Sequence, residues 1–299
     1  MRVFVVLVLL SVTAKADQIS IPNTLSNNTV ADAIAVQENF DTLASESNEN
    51  DSRIAALEFA GNRDPIVVDC TDDPAALQTA INGRDNSGPS LSFDITGTCE
   101  VEYIWTWRNW AIRGVGDDAK IIPSEAALAY WGYLYINSGN GAHLSLRNLS
   151  VEHSFILAER NGSISLQNVS FEQTTPAAIT ANTGGFIRFF GAFNSESDIS
   201  LFASNGGVIQ ILGATGSFKI SAQTNGTVLC APCENTTISR VDLKGGSTFC
   251  AYNSTPPKTI PIVTASFNSN FLTSGGGSLT VDSETIDGSS IIDKSGSSC

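Results

Sequence analysis

The apolar and polar positions of this chain form a repeat between residues 141 and 173. From Leu144 the chain reads LSLRNLSVE, and twenty positions later, from Ile164, it reads ISLQNVSFE. In each copy apolar residues alternate with polar ones until the alternation shifts by one residue at Asn148 and at Asn168. Because Asn tolerates a left-handed backbone, each copy predicts two short strands that meet at a bend. A coil of about twenty residues made of short strands is typical of a parallel β-helix.

The same register is predicted to extend beyond these two copies. Residues that follow a glycine are expected in the inward column of Leu144 and Ile164, namely Ile187, Ile209, Val228, Thr248 and Leu279. Unequal intervals fit a solenoid whose strands stay in step while insertions are confined to the turns. Asn148 and Asn168 are predicted to stack as an amide ladder.

The first sixteen residues have the layout of a cleavable secretory signal. Arg2 precedes an apolar run over residues 3–10, and residues 14–16 read Ala-Lys-Ala. The sequence therefore predicts a protein that is secreted, to the extracellular space, to the cell surface or, in a bacterium, to the periplasm. No later run reaches the roughly 20 apolar residues of a membrane helix, so no membrane span is expected.

The charge of the chain restricts its partners. Its 299 residues carry a formal net charge of −14, and loss of the signal removes two of the positive charges. A field of this sign argues against nucleic acid or an anionic membrane surface as partner. Acidic sugars would also be repelled, unless a local basic patch or a bound cation offsets the field. No cofactor is expected.

Residues 17–62 differ in composition from the rest and predict a helical stalk or linker. Two heptad positions are occupied by Ala33, Phe40, Ser47 and Ile54, and by Val36, Leu43, Asn50 and Leu57. The segment IPNTLSNNTVADAIAVQENFDTL resembles the stalk of many exported bacterial and phage-fibre-like proteins, which implies a homo-oligomer formed through residues 30–58. A lone amphipathic helix or a flexible leader is the alternative, because half of the predicted core layers are polar.

Residues 63–299 are predicted to form the β-helix domain. A strand over residues 66–68 is followed by a helix that Asp72 or Asp73 caps, with Leu77, Ala80 and Ile81 on one face. This helix is expected to cover the open end of the solenoid, because an unpaired strand edge and an exposed apolar cross-section invite aggregation.

This opening resembles that of the pectin-lyase-like right-handed parallel β-helix proteins. The resemblance is carried by residues 75–81, by Leu-Ser-Phe at 91–93, and by residues 110–122, which contain Arg113-Gly114-Val115-Gly116. It implies an all-β, right-handed parallel β-helix with a cap helix, preceded by the coiled-coil-like stalk. Many members cleave acidic polysaccharides, but the chain lacks the motifs of the polygalacturonase-like and pectate-lyase-like enzymes.

The best local candidates for catalysis are Glu152 and Glu172, which the repeat stacks on the outer face about one strand spacing apart. Two carboxyls at about 5 Å serve retaining glycosidases, and such a pair can also bind Ca²⁺. His153 is a candidate base. The alternative is a solvated outer face that discourages lateral association, with His153 as a turn residue.

All four tryptophans lie between residues 105 and 131, in a group of aromatic residues on the first coils. The group consists of Tyr103, Trp105, Trp107, Trp110, Tyr130, Trp131, Tyr133 and Tyr135. Trp105, Trp107 and Trp131 are candidates to bind a ligand, since such rings stack on sugars and are favoured at interfaces. The alternative is that the rings fill the wide end of the core.

Six cysteines in an exported chain predict disulfides. The Cys-Ala-Pro-Cys segment at 230–233 lacks the strand and helix context of a redox motif, so a structural role is expected. The simplest pairing joins Cys70 to Cys99, Cys230 to Cys250 in one inward column, and Cys233 to Cys299. A competing pairing joins Cys230 to Cys233 and Cys250 to Cys299.

Together these observations predict a secreted, non-enzymatic β-helix protein that acts as a structural or binding module, with extracellular polysaccharide as a candidate partner. The alternative is a divergent polysaccharide lyase or glycoside hydrolase of the same fold, acting on extracellular polysaccharide.

Overall fold

The computed structural model describes residues 65–83, 90–172, 178–195, 197–233, 235–252, 258–274, 279–287 and 289–293. The predicted signal segment and stalk, and the terminal Cys299, lie outside these ranges. Residues Arg63–Cys299 form one compact unit.

Short strands make up most of the described chain, in the order that a repeating coil requires. They are β1 Ile66–Asp69, β2 Leu91–Thr96, β3 Thr98–Val101, β4 Tyr103–Thr106, β5 Trp110–Gly114, β6 Lys120–Pro123, β7 Leu134–Ser138, β8 His143–Glu152, β9 Ser154–Glu159, β10 Ser163–Glu172, β11 Ala178–Asn182, β12 Phe186–Ala192, β13 Ile199–Ser204, β14 Val208–Gln223, β15 Thr227–Cys230, β16 Thr236–Lys244, β17 Thr248–Tyr252, β18 Lys258–Ser266, β19 Asn270–Ser274, β20 Leu279–Ile286 and β21 Ile291–Asp293. Two helices are described, α1 Ala76–Asn82 and α2 Glu125–Tyr130.

Every pair of neighbouring strands is parallel, and the strands wind into a β-solenoid, which confirms the predicted fold class. We name three faces. The first contains β1, β2, β5, the first halves of β8, β10 and β14, then β12, β15, β17, β19 and β21; the second contains β3, β6 and the second halves of β8 and β10; the third contains β4, β7, β9, β11, β13, the second half of β14, β16, β18 and β20. Inward side chains of all three faces form one continuous apolar core.

The predicted bend at Asn148 and Asn168 is confirmed. The two residues adopt φ values of 52° and 51°, and Asn168 Nδ2 donates to Asn148 Oδ1 at 3.0 Å. The corresponding residue of the next coil is Gly191, which has no side-chain amide. There the backbone N–H of the following residue, Ala192, donates to Asn168 Oδ1 at 3.1 Å. The amide ladder therefore joins three consecutive coils.

A second bend, between the third and first faces, is built from two consecutive residues with positive φ. These pairs are Asn140-Gly141, Arg160-Asn161, Thr183-Gly184, Asn205-Gly206, Thr224-Asn225, Gly245-Gly246 and Phe267-Asn268. The N–H of the second residue donates to the carbonyl of the first residue in the next coil, as from Gly141 to Arg160 at 3.2 Å and from Asn225 to Gly245 at 2.9 Å. The turns therefore form a hydrogen-bonded column of their own.

The position after each pair admits little more than glycine in four coils. A Cβ added there would lie 2.0 to 2.1 Å from a carbonyl oxygen of the preceding coil, at Gly162, Gly185, Gly207 and Gly226. The corresponding residue is Ser247 in a later coil, where the hydroxyl donates to the carbonyl of Ala222 at 2.9 Å. This turn fixes where the next strand of the first face begins.

The predicted inward column is confirmed for its first five residues and wrong for the last two. Leu144, Ile164, Ile187, Ile209 and Val228 are register partners in turn. Two other residues continue the column, Phe249 and then Phe271. Thr248 pairs with Thr227 instead, and Leu279 pairs with Lys258 on the third face.

The cause of this error is the role of the double glycines. In Gly184-Gly185 the second glycine is the crowded position after the turn, whereas Gly245-Gly246 forms the turn itself and Ser247 follows it. The inward residue therefore comes one position later, at Phe249. A slip of one residue along a strand exchanges its two faces.

The predicted cap helix covers the first coil. Leu77 and Ile81 of α1 are buried, and Gln78 Oε1 accepts from the N–H groups of Glu102 at 2.8 Å and Tyr103 at 3.4 Å. The Tyr103 amide belongs to the outer edge of β4, and the Glu102 amide directly precedes that strand. The predicted Asp cap is wrong: the N-cap residue is Ala75, without a side-chain bond, and Asp73 Oδ1 accepts instead from the Ala75 N–H at 3.1 Å.

One of the predicted disulfides is confirmed and two are wrong. Cys70 and Cys99 are bonded, with Cα atoms 5.1 Å apart. Cys230 bonds to Cys233, as in the competing pairing, which overturns the predicted bonds from Cys230 to Cys250 and from Cys233 to Cys299. Cys230 is inward as predicted, but its register partner is Ala251, because the shift at the preceding turn displaces Cys250 by one position. Cys250 is itself disulfide-bonded.

Candidate functional site

The two candidate carboxylates of the second face are stacked as the repeat predicts. Glu152 and Glu172 are register partners on β8 and β10. A residue that the repeat did not indicate, Lys120 on β6, lies between them: its Nζ is 2.9 Å from Glu152 Oε2 and 2.5 Å from Glu172 Oε2. The three side chains form an ion triad on the outer surface.

The triad determines which protonation states are favoured. The hydrogen bond from Lys120 lowers the pKa of Glu172, and the same bond raises the pKa of Lys120. A retaining glycosidase needs one carboxyl that stays protonated, which requires a raised pKa. An ammonium between the two carboxylates opposes that requirement, so the arrangement favours a structural ion triad over an acid and nucleophile pair.

His153 occupies the third bend of its coil. Its φ is 43°, its N–H donates to the carbonyl of Glu172 at 3.4 Å, and its Nε2 lies 3.7 Å from Glu152 Oε1. A positive φ and a backbone bond across coils are the properties of a turn residue. The position beside Glu152 also brings it to the edge of the ion triad.

The aromatic residues divide between the core and the surface. Trp110 is inward on β5 and buried, with its ring edge-on to Phe93 at a centroid distance of 6.0 Å. Trp105 and Trp107 lie at the first strand of the third face, 41% and 43% exposed, and their rings stack with centroids 5.1 Å apart. Both predicted roles, packing and exposure, therefore occur.

A second stack continues this surface on the adjoining strands. Trp131 follows α2, an insertion between β6 and β7 that begins where Ser124 Oγ accepts from the Ala127 N–H at 3.2 Å. Trp131 is 43% exposed, and its ring stacks on Tyr135 with a centroid distance of 5.5 Å and an interplanar angle of 16°. Tyr135 in turn stacks on Phe155 at 6.0 Å.

Cross-strand register joins these two stacks into one surface. Tyr103 of β4 is the partner of Tyr135 of β7, and Trp105 is the partner of Asn137. We call the surface formed by Tyr103, Trp105, Trp107, Trp131, Tyr135 and Phe155 the aromatic platform. It crosses three neighbouring strands of the third face, near its capped end.

Polar groups lie between the two stacks. The amide of Asn137 is buried, and its Nδ2 donates to Tyr135 Oη at 2.9 Å and to Glu159 Oε1 at 3.0 Å. Burial raises the pKa of Tyr135, which keeps its phenol neutral. A cavity of 320 Å³ opens beside Trp107 and is lined by Ser90, Trp107, Arg108, Asn109, Asn140, Gly141 and Ala142. Apolar planes thus alternate with hydrogen-bonding groups.

Sequence reasoning indicated Trp105, Trp107 and Trp131 but not the residues that orient them. Phe155, Asn137 and Glu159 belong to later coils and reach the platform only through strand register. The insertion of α2 interrupts the repeat between β6 and β7, so the pairing of β4 with β7 could not be read from spacing. Lys120 was missed for the same reason.

Within the described ranges, no group of three or more His, Cys, Asp or Glu side chains is placed to hold a metal ion. Neither of the described helices has the length and apolar character to cross a membrane.

Comparison of this chain with protein-family models, with curated proteins and with solved structures finds no match. Function is therefore inferred from the side chains and their placement.

Proposed function

We propose that this protein is a secreted, non-enzymatic binding module of the pectin-lyase-like type, whose aromatic platform holds extracellular polysaccharide. The observation that carries the proposal is the exposure of three tryptophans in two stacks on one outer face. Exposed aromatic planes bury the apolar faces of a ligand, while Asn137, Glu159 and Tyr135 supply hydrogen-bonding groups beside them.

The rigidity of the platform supports the same proposal. Each ring stands on a strand of the solenoid or stacks on a ring that does, so little side-chain entropy is lost when a ligand binds. The predicted stalk over residues 30–58 would present several such rods together, and linked copies raise the effective affinity of a weak single site. The leading partner is thus a repetitive ligand such as a polysaccharide.

Binding to a panel of insoluble neutral polysaccharides, such as cellulose, chitin and starch, tests the proposal on the full chain. The double variant Trp105→Ala/Trp107→Ala is expected to lower the affinity for the polysaccharide that binds by about tenfold or more, since hot-spot aromatics contribute about 2 kcal/mol or more each. Tyr252→Ala is the matched control, because Tyr252 is 37% exposed but lies on the first face. Its affinity should be unchanged.

Two results would overturn the binding role. One is the failure of every polysaccharide in the panel to bind, or equal losses in the two variants. The other is enzymatic turnover of a polysaccharide. The proposal expects the release of reducing ends or unsaturated products from uronate polysaccharides to stay at background, with or without Ca²⁺. Turnover that disappears in Glu152→Gln or Glu172→Gln would establish instead the polysaccharide lyase or glycoside hydrolase that is the alternative.

A further inference from the structure

Asn137 lies at the centre of the aromatic platform and carries an oxygen that has no hydrogen-bond partner. Its side chain is on the outer side of β7, between Trp105 of β4 and Leu157 of β9. The residue is only 1% exposed, and its Oδ1 atom is buried without a donor in the part of the chain that the structure describes. Buried carbonyl oxygens normally accept at least one hydrogen bond, so this atom marks a place where a ligand can supply the donor.

The hydrogen-bonding groups around this oxygen are mainly acceptors. The Asn137 amide has two N–H donors, and both are used: Nδ2 donates to Tyr135 Oη at 2.9 Å and to Glu159 Oε1 at 3.0 Å. Among the described residues no ion pair neutralises Glu159, and the neighbouring Arg160 makes none with it. Burial raises the pKa of Tyr135 most, and the charge of Glu159 raises it further. The platform therefore has negative charge and acceptor capacity at its centre, which a donor-rich ligand would match.

Gly139, which directly follows β7, leaves room beside these acceptors. A Cβ atom on Gly139 would lie 3.9 Å from Asn137 Oδ1 and 3.8 Å from Glu159 Cγ. Its φ is outside the left-handed region, so the backbone conformation does not require glycine at this position. A donor group that reaches the backbone of Gly139 would therefore meet the amide oxygen and the carboxylate together.

Aromatic rings border the same space. The N–H of Gly139 donates to the carbonyl of Thr106 at 3.3 Å, and Trp107 directly follows Thr106, so the stacked pair of Trp105 and Trp107 adjoins the acceptors. The two side chains are 41% and 43% exposed, and exposed side chains change rotamer rapidly, which gives a ligand access. Because the faces of aromatic rings attract cations, these surroundings favour a positively charged donor over a neutral one.

We propose that the platform binds an amino-sugar polymer, and that a protonated amine of the polymer donates to Asn137 Oδ1 and to Glu159 beside the tryptophan pair. This inference rests on the proposed binding of polysaccharide at the platform and names the class of sugar. An ammonium group has three N–H donors and no acceptor, so it matches a site made of acceptors. Its bond to a carboxylate is about twice as strong as a bond between neutral groups, while the sugar rings stack on the tryptophans.

The charge of the whole chain acts in the same direction. A formal net charge of −14 attracts a polycation at long range and repels uronates. This attraction does not depend on where the polymer binds. The experiment must therefore separate it from the contact at Asn137, and Gly139 and Glu159 offer the means.

Isothermal titration of the full chain with three hexasaccharides tests the inference, because the three differ only in one substituent of each sugar ring. At this position cellohexaose carries a hydroxyl, N-acetylglucosamine hexasaccharide an acetamide, and glucosamine hexasaccharide an ammonium. At about pH 5.5 the amines are protonated and the glutamates remain ionised. All three should bind through the aromatic rings, and glucosamine hexasaccharide should bind about tenfold or more tightly than the other two.

Two single substitutions should abolish this preference by different means. Gly139→Ala keeps every charge and places a methyl group next to both acceptors, at ordinary contact distances that the fold accommodates. It should lower the affinity for glucosamine hexasaccharide to that for cellohexaose and leave cellohexaose binding unchanged. Glu159→Gln keeps an acceptor for Asn137 but removes the charge, and should weaken binding of glucosamine hexasaccharide by about tenfold.

Glu100→Gln is the matched control for Glu159→Gln. It removes the same charge from an exposed position of β3, on the second face, and should leave all three affinities within about twofold of wild type at physiological salt. Thermal melting should verify that every variant folds.

The possible outcomes separate this inference from the function on which it rests. If none of the three hexasaccharides binds, the platform is not a polysaccharide site and both fail. If cellohexaose or N-acetylglucosamine hexasaccharide binds as tightly as glucosamine hexasaccharide, the platform stands and the amine site is refuted. Equal losses in Glu100→Gln and Glu159→Gln, or an unchanged preference in Gly139→Ala, would attribute the preference to net charge alone. Equally tight binding of a lysine hexapeptide would refute the assignment of the amine to a sugar.

Discussion

At the residue scale, the solenoid depends on positions where a side chain would meet the backbone of the preceding coil. Gly206 and Gly207 illustrate the two separate reasons for glycine. Gly206 has a φ of +76° and open space around it, whereas a Cβ on Gly207 would lie 2.1 Å from the carbonyl oxygen of Ala181. Gly206 is favoured because of its left-handed backbone conformation, whereas Gly207 is favoured because there is no space for a Cβ atom.

Alanine at these two neighbours is therefore expected to have unequal effects. Gly206→Ala should lower the free energy of unfolding by about 1 kcal/mol, the cost of a left-handed backbone, while Gly207→Ala should lower it by about 3 kcal/mol, because strands must separate to admit the methyl group. Urea unfolding followed by circular dichroism measures both. A loss at Gly207 no larger than that at Gly206 would contradict the close approach of the coils.

The ion triad predicts a dependence of stability on pH. Lys120 lowers the pKa of Glu172 below its ordinary value of 4.5, so this pair stabilises the fold above that pH and the contribution is lost as the pH falls through the folded-state pKa. Lys120→Met should cost less than about 1 kcal/mol at pH 7, since the groups are partly exposed. The difference from wild type should be smaller at pH 3 than at pH 7.

Urea unfolding at the two pH values measures this effect. Lys219→Met, which removes the same charge from an exposed position of the third face, serves as the control and should show a smaller change with pH. Equal behaviour of the two variants would show that net charge, and not the triad, is responsible.

At the scale of elements, the end strands are the vulnerable ones. Every inner strand of the described chain is paired on both sides. The outer edge at the start of β4 instead meets Gln78 of α1. An unpaired edge invites pairing with another chain. Helix α1, tied through the neighbouring Cys70–Cys99 disulfide, thus protects the edge as well as the core.

Gln78→Ala is expected to expose the amides of Glu102 and Tyr103. Hydrogen exchange at these two positions should accelerate, stability should fall by about 1 kcal/mol for the lost bonds, and self-association should rise in light scattering. Gln78→Glu keeps an acceptor at the same place and should retain the protection. Unchanged exchange in Gln78→Ala would show that the helix does not cap this edge.

At the scale of the whole molecule, the sequence predicted the architecture well because a solenoid is periodic. The columns through Leu144 and Asn148 could be extended since each coil contacts only its neighbours. The predicted inward column is wrong from Thr248 onward. A glycine can be either a turn residue with positive φ or the crowded residue after the turn, and only the backbone conformation distinguishes the two roles. The favoured pairing of Cys230 with Cys250 was wrong because of the same one-residue shift, and the competing pairing with Cys233 is the one that forms.

The sites were less predictable than the coils. Trp105 and Trp131 were indicated by composition, but their arrangement depends on the α2 insertion, which has no counterpart in the repeat. Lys120 and Glu172 are 52 positions apart in the sequence and meet only because β6 and β10 both pair with β8. Contacts between side chains of different coils can be predicted only when the strand register is known.

The direction of the strand hydrogen bonds has a mechanical consequence. Strands run across the rod and their bonds run along it, so a pull along the rod loads the coils in series, and the weakest interface opens first. The platform lies in the coils nearest the capped end. Tension between residue 65 and a held ligand would cross only those coils, part of which is reinforced by Cys70–Cys99, and the distal coils would carry no load.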